Sequence, residues 1–268
     1  MDYLANALAL AGAHAERSDT AVARLNALEA EHGRSLPATV RTWYSLSAAT
    51  TILEPESNGD FVYPVERLGE PETYYWPTDD EWPEGVEEQE EREFDPVAHD
   101  LLPFLNENQG VYCLAVRLDG SDDPPVLLSW DGVLPDSWLP HAESFSQWVY
   151  TRVWDFAPLR SAGALEATAQ EITEADLDAL GQLLEARPVT AATRQSRRFA
   201  GHDDDQRLLL IPPFAAGCGW SVYFWAPTED LLVDLVTTVR SVLSIGDVST
   251  PSFRPDDTVK RALARLSV

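Results

Sequence analysis

The sequence has few cations for its size. Its 268 residues include 19 Lys and Arg against 45 Asp and Glu, which gives a formal net charge of −26. Nucleic acid and anionic lipid are bound largely by Lys and Arg side chains that neutralise phosphates. The composition therefore argues against both as partners. Hydrophobic residues still make up 44% of the chain, enough for packed cores, and the length predicts one large or two modest domains.

Long apolar runs are also missing, and cysteine is scarce. No run approaches the roughly 20 apolar residues that cross a bilayer. The Ala/Leu-rich opening, Asp2–Arg17, has no positively charged start, so we interpret it as a helix and not a signal peptide. Cys113 and Cys218 lie far apart, each in an apolar stretch, and are predicted to be buried, reduced thiols. Reduced thiols favour a cytoplasmic location.

The standard catalytic motifs are absent from the sequence. It contains no phosphate-binding or dinucleotide-binding glycine pattern, no nucleophile elbow, and no two histidines four residues apart. His202 beside Asp203–Asp205 comes nearest to a metal site, but a tight polar turn exposes such side chains in any case. Cys113 lies in a predicted strand centre, which does not suit a nucleophile. The sequence therefore predicts no enzyme, no metal and no cofactor.

The negative charge is concentrated in the first part of the chain. Residues 1–157 hold 30 acidic and 8 basic residues, a net charge of −22, whereas residues 158–268 hold 15 and 11, a net charge of −4. The negative electrostatic field of such a domain attracts a basic protein and speeds the association of the two proteins. We therefore expect a basic protein partner for residues 1–157.

Residues 1–157 are predicted to form an α+β domain. A helix capped by Ser18 or Asp19 and ended by Gly33 precedes a second helix that begins near Pro37. Three extended segments then follow, and the middle one, residues 110–120, alternates as a central antiparallel strand does. A closing helix is predicted from Ser144 to Trp154.

Residues 158–268 are predicted to form a smaller α+β domain after a Pro/Gly/Ala-rich joint at residues 157–165. The predicted order is αβββα, with a short final helix from Asp257. Thr173 begins the first helix, residues 173–186, and Thr228 begins the second. The strands are a hairpin, residues 194–200 and 207–212, and a third strand at residues 220–226.

An acidic and aromatic stretch at residues 73–95 is the predicted binding site. It holds ten Asp or Glu and a single cation, Arg92, and it lies in a long loop, residues 70–100. Aromatic anchors ringed by carboxylates suit a basic protein surface. The predicted anchors and acidic rim are Tyr74, Tyr75, Trp76, Asp79, Asp80, Glu81, Trp82, Glu84, Glu87, Glu88, Glu90 and Glu91. Alternatively, the stretch is a solvated loop that Tyr75 and Trp76 pin to the domain.

Short motifs in a fixed order link residues 19–156 to a known family. They are Gly33-x-x-Leu36-Pro37, Val40-x-x-Trp43-Tyr44, Leu102-Pro103-Phe104, Tyr112-Cys113-Leu114, Asp119-Gly120, Pro125-Val126, Ser129-Trp130-Asp131 and Ser144-Phe145-x-x-Trp148. This part of the chain resembles the SMI1/KNR4 family of the SUKH superfamily. The resemblance implies a binding module. Bacterial members resemble immunity proteins that neutralise secreted toxins by direct contact, and fungal members act as regulatory scaffolds.

Three hypotheses follow for the whole chain. The first is an immunity protein that binds and neutralises a basic toxin. The second is a regulatory or scaffold protein of the same fold that binds a host protein. The third is an enzyme whose site lies in the second half, around Cys218, Trp220 or His202.

Overall fold

The chain folds into two compact units, Met1–Val153 and Trp154–Val268. The computed structural model describes residues 2–53, 60–69, 96–107, 112–130, 137–190, 196–201, 204–213, 217–252 and 254–267. Both units combine helices with an antiparallel sheet, so the predicted α+β class is confirmed. The division lies inside a helix, and the boundary expected after Ala157 lies in the same helix.

The first unit places helices before and after one sheet. Its helices are α1 (Tyr3–Ala11), α2 (Asp19–His32), α3 (Ala38–Tyr44), α4 (Ala49–Leu53) and the start of α5 (Phe145–Arg160). Its strands are β1 (Phe61–Val62), β2 (Leu101–Asn106), β3 (Cys113–Arg117), β4 (Val126–Ser129) and β5 (Leu139–Ala142). The strand order is β1-β2-β3-β4-β5 and all pairs are antiparallel. The predicted central strand is therefore confirmed as β3.

The predicted ends of helix α2 are also confirmed. The Ser18 hydroxyl accepts a hydrogen bond from the Ala21 backbone N–H at 3.2 Å, which satisfies one of the free donors of the first turn. Gly33 ends the helix in the left-handed conformation, with φ of 64°, which glycine adopts without a steric cost. Helix α3 begins one residue after Pro37.

Aromatic side chains form the core between the helices and the sheet of the first unit. Phe104 of β2 meets the rings of Phe145 and Trp148 edge-on, with centroids 5.5 Å and 4.8 Å apart. Tyr44 of α3 stacks on Phe145 at 6.4 Å, and Trp43 beside it is fully buried. Such pairs stabilise a core beyond the apolar area that they bury. Helices α3 and α5 are thus packed on the same face of the sheet.

The second unit has a five-stranded antiparallel sheet in the order β6-β10-β9-β8-β7. Its strands are β6 (Ala164–Ala169), β7 (Glu185–Thr190), β8 (Ser196–Ala200), β9 (Arg207–Ile211) and β10 (Trp220–Trp225). Its helices, besides the end of α5, are α6 (Glu174–Leu183), α7 (Glu229–Arg240) and α8 (Asp257–Leu266). The three helices cover one sheet face, around a core that contains Phe199, Leu208 and Phe224.

Two parts of the second unit differ from the predicted order. The expected joint at residues 157–165 is partly helix α5 and partly strand β6, which pairs with β10 along its whole length. The helix expected to reach Ala186 ends at Leu183, because Glu185 and Ala186 pair with Ala200 and Phe199 of β8. The unit therefore has five strands where three were predicted.

Candidate functional site

The predicted binding residues lie outside the part of the chain that the structure describes. All belong to residues 70–95, for which no structure is given. They are Tyr74, Tyr75, Trp76, Asp79, Asp80, Glu81, Trp82, Glu84, Glu87, Glu88, Glu90 and Glu91. Their role in binding therefore remains a prediction.

One end of the first sheet carries the partly buried Tyr112 and the exposed Trp130 and Leu139, three side chains that we call the aromatic corner. Trp130 is 50% exposed and Leu139 is 46% exposed. Tyr112 meets Trp130 edge-on with centroids 6.1 Å apart. Because Cys113 pairs with Ser129 in antiparallel strands, Tyr112, which precedes Cys113, lies opposite Trp130, which follows Ser129.

The third member lies on the edge strand beside them. Leu139 of β5 pairs with Leu128 of β4, two residues before Trp130, so both side chains project from the same face. An exposed Trp is costly to leave in water and is enriched among residues that dominate binding energy. The sequence indicated Trp130 only as part of the Ser129-Trp130-Asp131 motif and did not predict it as a surface residue. The position of Trp130 at the end of an apolar strand could have predicted its exposure.

The same end of the sheet carries a second exposed ring. Phe61 of β1 is 46% exposed and pairs with Asn106, which in turn pairs with Cys113. The Arg67 guanidinium lies 5.3 Å from the centre of the Phe61 ring and 5.1 Å from that of Tyr63. This cation holds the Phe61 ring in place.

A cleft lies between the start of α2, the turn from α3 to α4, and residues 64–66. Its volume is about 240 Å³, and Ser18, Ala21, Tyr44, Ser47 and Thr50 are among its lining residues. Arg24 of α2 forms an ion pair with Glu66 of the opposite wall. The first unit therefore holds a small, mostly neutral cavity whose lining is rich in hydroxyl groups.

Tyr44 is the unusual member of this cleft. The residue is fully buried, and its hydroxyl has no hydrogen-bond partner among the described residues. Burial raises the pKa of the Tyr44 phenol above its ordinary value, so the group stays neutral and keeps its proton. A buried hydroxyl without a partner costs free energy.

The second unit holds a buried group of arginines on the sheet face opposite its main core. Arg198 of β8 makes two hydrogen bonds to the Asp155 carboxylate, at 2.7 Å and 2.6 Å. Asp204 accepts from Arg187 at 3.3 Å and lies 3.7 Å from Arg207. Each of these cations faces a carboxylate, so the group is a structural network and not a free cationic site.

The rings of Trp154 and Trp225 complete this network. The Arg207 guanidinium lies 5.4 Å from the centre of the Trp154 ring and 5.1 Å from that of Trp225. The Trp154 indole donates to Asp204 at 3.2 Å. These contacts attach the last turns of α5 to the sheet.

The two thiols differ in exposure. Cys113 is buried in β3, with its sulfur 3.7 Å from the Ser129 carbonyl oxygen. Cys218 is partly exposed, because it lies in the turn before β10 and not within an apolar strand. The expectation that both are buried is therefore wrong for Cys218.

The described residues contain no group of three or more His, Cys, Asp or Glu that could hold a metal ion. Of the predicted polar turn, His202 and Asp203 lie outside the described residues, and Asp204 belongs to the arginine network. Trp220 packs against the core of the second unit. Within the described ranges, no helix is both long and apolar enough to span a bilayer.

Comparison with known proteins gives one match. The sequence model of the SMI1/KNR4 family (SUKH-1) matches residues 21–151, which include most of α2, all of α3 and α4, the whole first sheet and the start of α5. No curated protein and no solved structure matches the chain. Together with the helices, antiparallel sheet and closing helix of the first unit, this match identifies residues 21–151 as a domain of the SMI1/KNR4 (SUKH-1) family.

Proposed function

We propose that this protein is an immunity protein, which neutralises a basic toxin by binding it directly and performs no catalysis of its own. The observation that carries the proposal is the combination of the family match over residues 21–151 with the charge of −22 on residues 1–157. The family implies a module that binds a protein. The charge indicates that the partner is basic, because a partner of opposite sign associates faster and more selectively.

Two surfaces are proposed to share the binding. The acidic stretch, residues 73–95, supplies carboxylates that pair with Arg and Lys of the toxin. The aromatic corner of Tyr112, Trp130 and Leu139 supplies apolar contact area, since Trp130 and Leu139 are about half exposed in the free protein. Aromatic anchors with a charged rim are the usual composition of a protein interface.

A growth assay tests the proposal. Any basic domain found to be encoded next to this protein is expressed from an inducible promoter, with and without this chain, in a host that lacks both. Restored growth together with a copurifying complex is the expected result. Unrestored growth with no complex would contradict the immunity role.

The same assay separates the regulatory alternative. If no neighbouring domain is toxic, the chain is used to capture partners from the source organism's lysate at low salt, with stepwise salt elution. Recovery of host assembly components, with no basic protein retained, would favour a scaffold protein of the same fold.

A further inference from the structure

The two rings of the aromatic corner stand at right angles to each other. Tyr112 and Trp130 have ring centroids 6.1 Å apart and ring planes inclined by 86°, and 50% of Trp130 is exposed. The face of an aromatic ring carries partial negative charge, and rings that meet at an angle are the usual walls of cation-binding cages. The corner therefore suits a cationic group as well as an apolar one.

A carboxylate lies next to these rings on the neighbouring strand. The Glu107 backbone N–H donates to the Tyr112 carbonyl oxygen at 2.9 Å, which extends the pairing of Asn106 with Cys113 by one residue. Residues directly opposite each other in antiparallel strands project from the same face of the sheet. Glu107, Tyr112 and Trp130 therefore lie side by side on one face.

Leu139 adds an apolar contact on the same face. It pairs with Leu128, two residues before Trp130, and is 46% exposed. Long cationic side chains lay their methylene groups along apolar surface and keep the charged head in a polar setting. Leu139 can contact such a stem, while Trp130 and Glu107 receive the head.

The second unit holds the same combination of groups with its cation in place. The Arg207 guanidinium lies 5.4 Å and 5.1 Å from the ring centres of Trp154 and Trp225. It also lies 3.7 Å from the Asp204 carboxylate. Two aromatic rings and a carboxylate thus hold an arginine within this chain. At the aromatic corner, the exposed half of Trp130 is open to an arginine from another protein.

Arginine suits the corner better than lysine does. A guanidinium is planar, stacks on aromatic rings and donates two parallel N–H groups to a carboxylate. An ammonium is a compact charge that is more strongly hydrated, so it loses more on leaving water. The nearness of the Trp130 ring to the Glu107 carboxylate therefore favours a guanidinium.

We propose that the aromatic corner and Glu107 together bind an arginine side chain of the basic protein partner. The guanidinium lies on the Trp130 ring and donates to the Glu107 carboxylate, and the stem contacts Leu139. The partner's identity as a toxin rests on the proposed function, whereas the preference for arginine rests on the corner. The charge of −22 on residues 1–157 favours a cation there and opposes a second copy of this chain.

A titration with a small probe tests the corner without the partner. N-acetylarginine N-methylamide is added to the full chain at constant ionic strength, and the backbone amide signals of Tyr112, Trp130 and Leu139 are followed by NMR. Saturable shifts at these amides are expected. The citrulline analogue, which has the same shape without the charge, and the leucine analogue, which is only apolar, are expected to shift them little. The lysine analogue should bind more weakly than the arginine probe.

Matched variants identify the groups responsible. Trp130→Leu keeps an apolar side chain but removes the ring, and should weaken binding of the arginine probe about two- to fivefold, the range for a cation on an exposed ring. Trp130→Phe keeps a ring and should lose less. Glu107→Gln removes the charge and should weaken binding up to about fivefold. Glu171→Gln removes the same charge from an exposed residue of the second unit and should leave binding unchanged.

Several results would overturn the proposal. Equal shifts with the arginine and citrulline probes, or with the leucine probe, would show that the corner does not select a cation. Unchanged probe binding by Trp130→Leu would show that only apolar contact is used, and no probe shift at any concentration would exclude the site. A toxin complex that Trp130→Leu leaves unchanged would overturn the partner's arginine and keep the immunity role. Probe binding by a chain that binds no basic protein would instead contradict the proposed function and leave the site intact.

Discussion

The guanidinium of Arg198 and the carboxylate of Asp155 face each other as a two-hydrogen-bond pair, at 2.7 Å and 2.6 Å. Only 4% of the Arg198 side chain and 15% of the Asp155 side chain are exposed. The pair joins helix α5 to strand β8. A charge left unpaired at such a buried position is far more costly than the loss of a surface ion pair.

Arg198→Met should therefore destabilise the second unit strongly. It leaves the Asp155 carboxylate buried without its cation, and we expect a loss of about 3 kcal/mol in the free energy of unfolding, measured by urea denaturation. Lys260→Met is the control, because the ion pair of Lys260 with Asp257 in the same unit, at 3.0 Å, is exposed and its loss should change stability little. Equal losses for the two variants would contradict the account of the pair.

Helix α6 begins with a capping box that makes stability depend on pH. The Thr173 hydroxyl accepts from the Asp176 N–H at 3.2 Å, and the Asp176 carboxylate accepts from the Thr173 N–H at 2.8 Å. The backbone and side-chain hydrogen bonds from Thr173 lower the pKa of Asp176. The folded state therefore binds this proton less readily than the unfolded chain.

Thr173→Ala should cost about 1 kcal/mol at neutral pH, the usual value for a lost N-cap. Because the pKa of Asp176 is lower in the folded state, its contribution is present above the ordinary carboxyl pKa and is lost as the pH falls through the folded value. The difference in unfolding free energy between wild type and variant should shrink over that acid range. A difference that is independent of pH would contradict the hydrogen bond from the Thr173 hydroxyl to the Asp176 carboxylate.

Two glycines of the second unit should respond oppositely to alanine. A Cβ on Gly219 would lie 2.7 Å from the Ala169 carbonyl oxygen, whereas a Cβ on Gly181 of α6 meets nothing within 4 Å. Gly219→Ala should cost about 1–3 kcal/mol through overpacking. Gly181→Ala should gain up to about 1 kcal/mol through helix propensity. Thermal unfolding of both variants measures whether each change raises or lowers stability. A Gly219→Ala variant as stable as wild type would contradict the close approach of β10 to β6.

Trp130 of the aromatic corner should matter for binding and little for folding. Its side chain is half exposed, so Trp130→Ala should change the unfolding free energy by less than about 1 kcal/mol and weaken partner binding by about 2 kcal/mol or more. Leu183→Ala, at a 56% exposed residue of the second unit, should leave affinity unchanged. Titration calorimetry measures both, and equal affinities for wild type and Trp130→Ala would exclude the corner from the interface.

The sequence correctly predicted the helix ends and strands that are specified by residues within or next to the element itself. Strand β3 alternates and lies between turn residues, and Ser18 and Gly33 carry the side-chain and backbone chemistry of helix ends. Strands β5 and β6 were missed because neither has a local signal. Their sequences, LPHA and ALEATA, are poor in the β-branched residues typical of strands, and pairing with β4 and β10 decides their conformation.

Tertiary pairing also overrode a helix signal at residues 184–186. Leu184, Glu185 and Ala186 continue the helical pattern, yet Glu185 pairs with Ala200 across the sheet. The cleft around Tyr44 likewise has a feature that the sequence could not predict. The sequence indicated Tyr44 only as part of the Val40-x-x-Trp43-Tyr44 motif, and only three-dimensional contacts reveal that its hydroxyl lacks a partner among the described residues.

The binding of a basic protein is the central claim, and salt dependence tests it most directly. Association of the chain with the basic partner identified by the growth or capture assay is measured by stopped-flow at low and high salt, for wild type and for two variants. One neutralises Glu87, Glu88 and Glu90 to Gln. The other removes the same charge from exposed acids of the second unit, Glu171→Gln, Asp178→Asn and Asp247→Asn.

We predict that wild type associates fast at low salt and slows as salt screens the field. Neutralising Glu87, Glu88 and Glu90 should slow association and flatten its salt dependence, while the second-unit variant should behave as wild type. Identical rates and salt dependence in all three proteins would contradict the assignment of the acidic stretch. No association at any salt concentration would contradict the account as a whole.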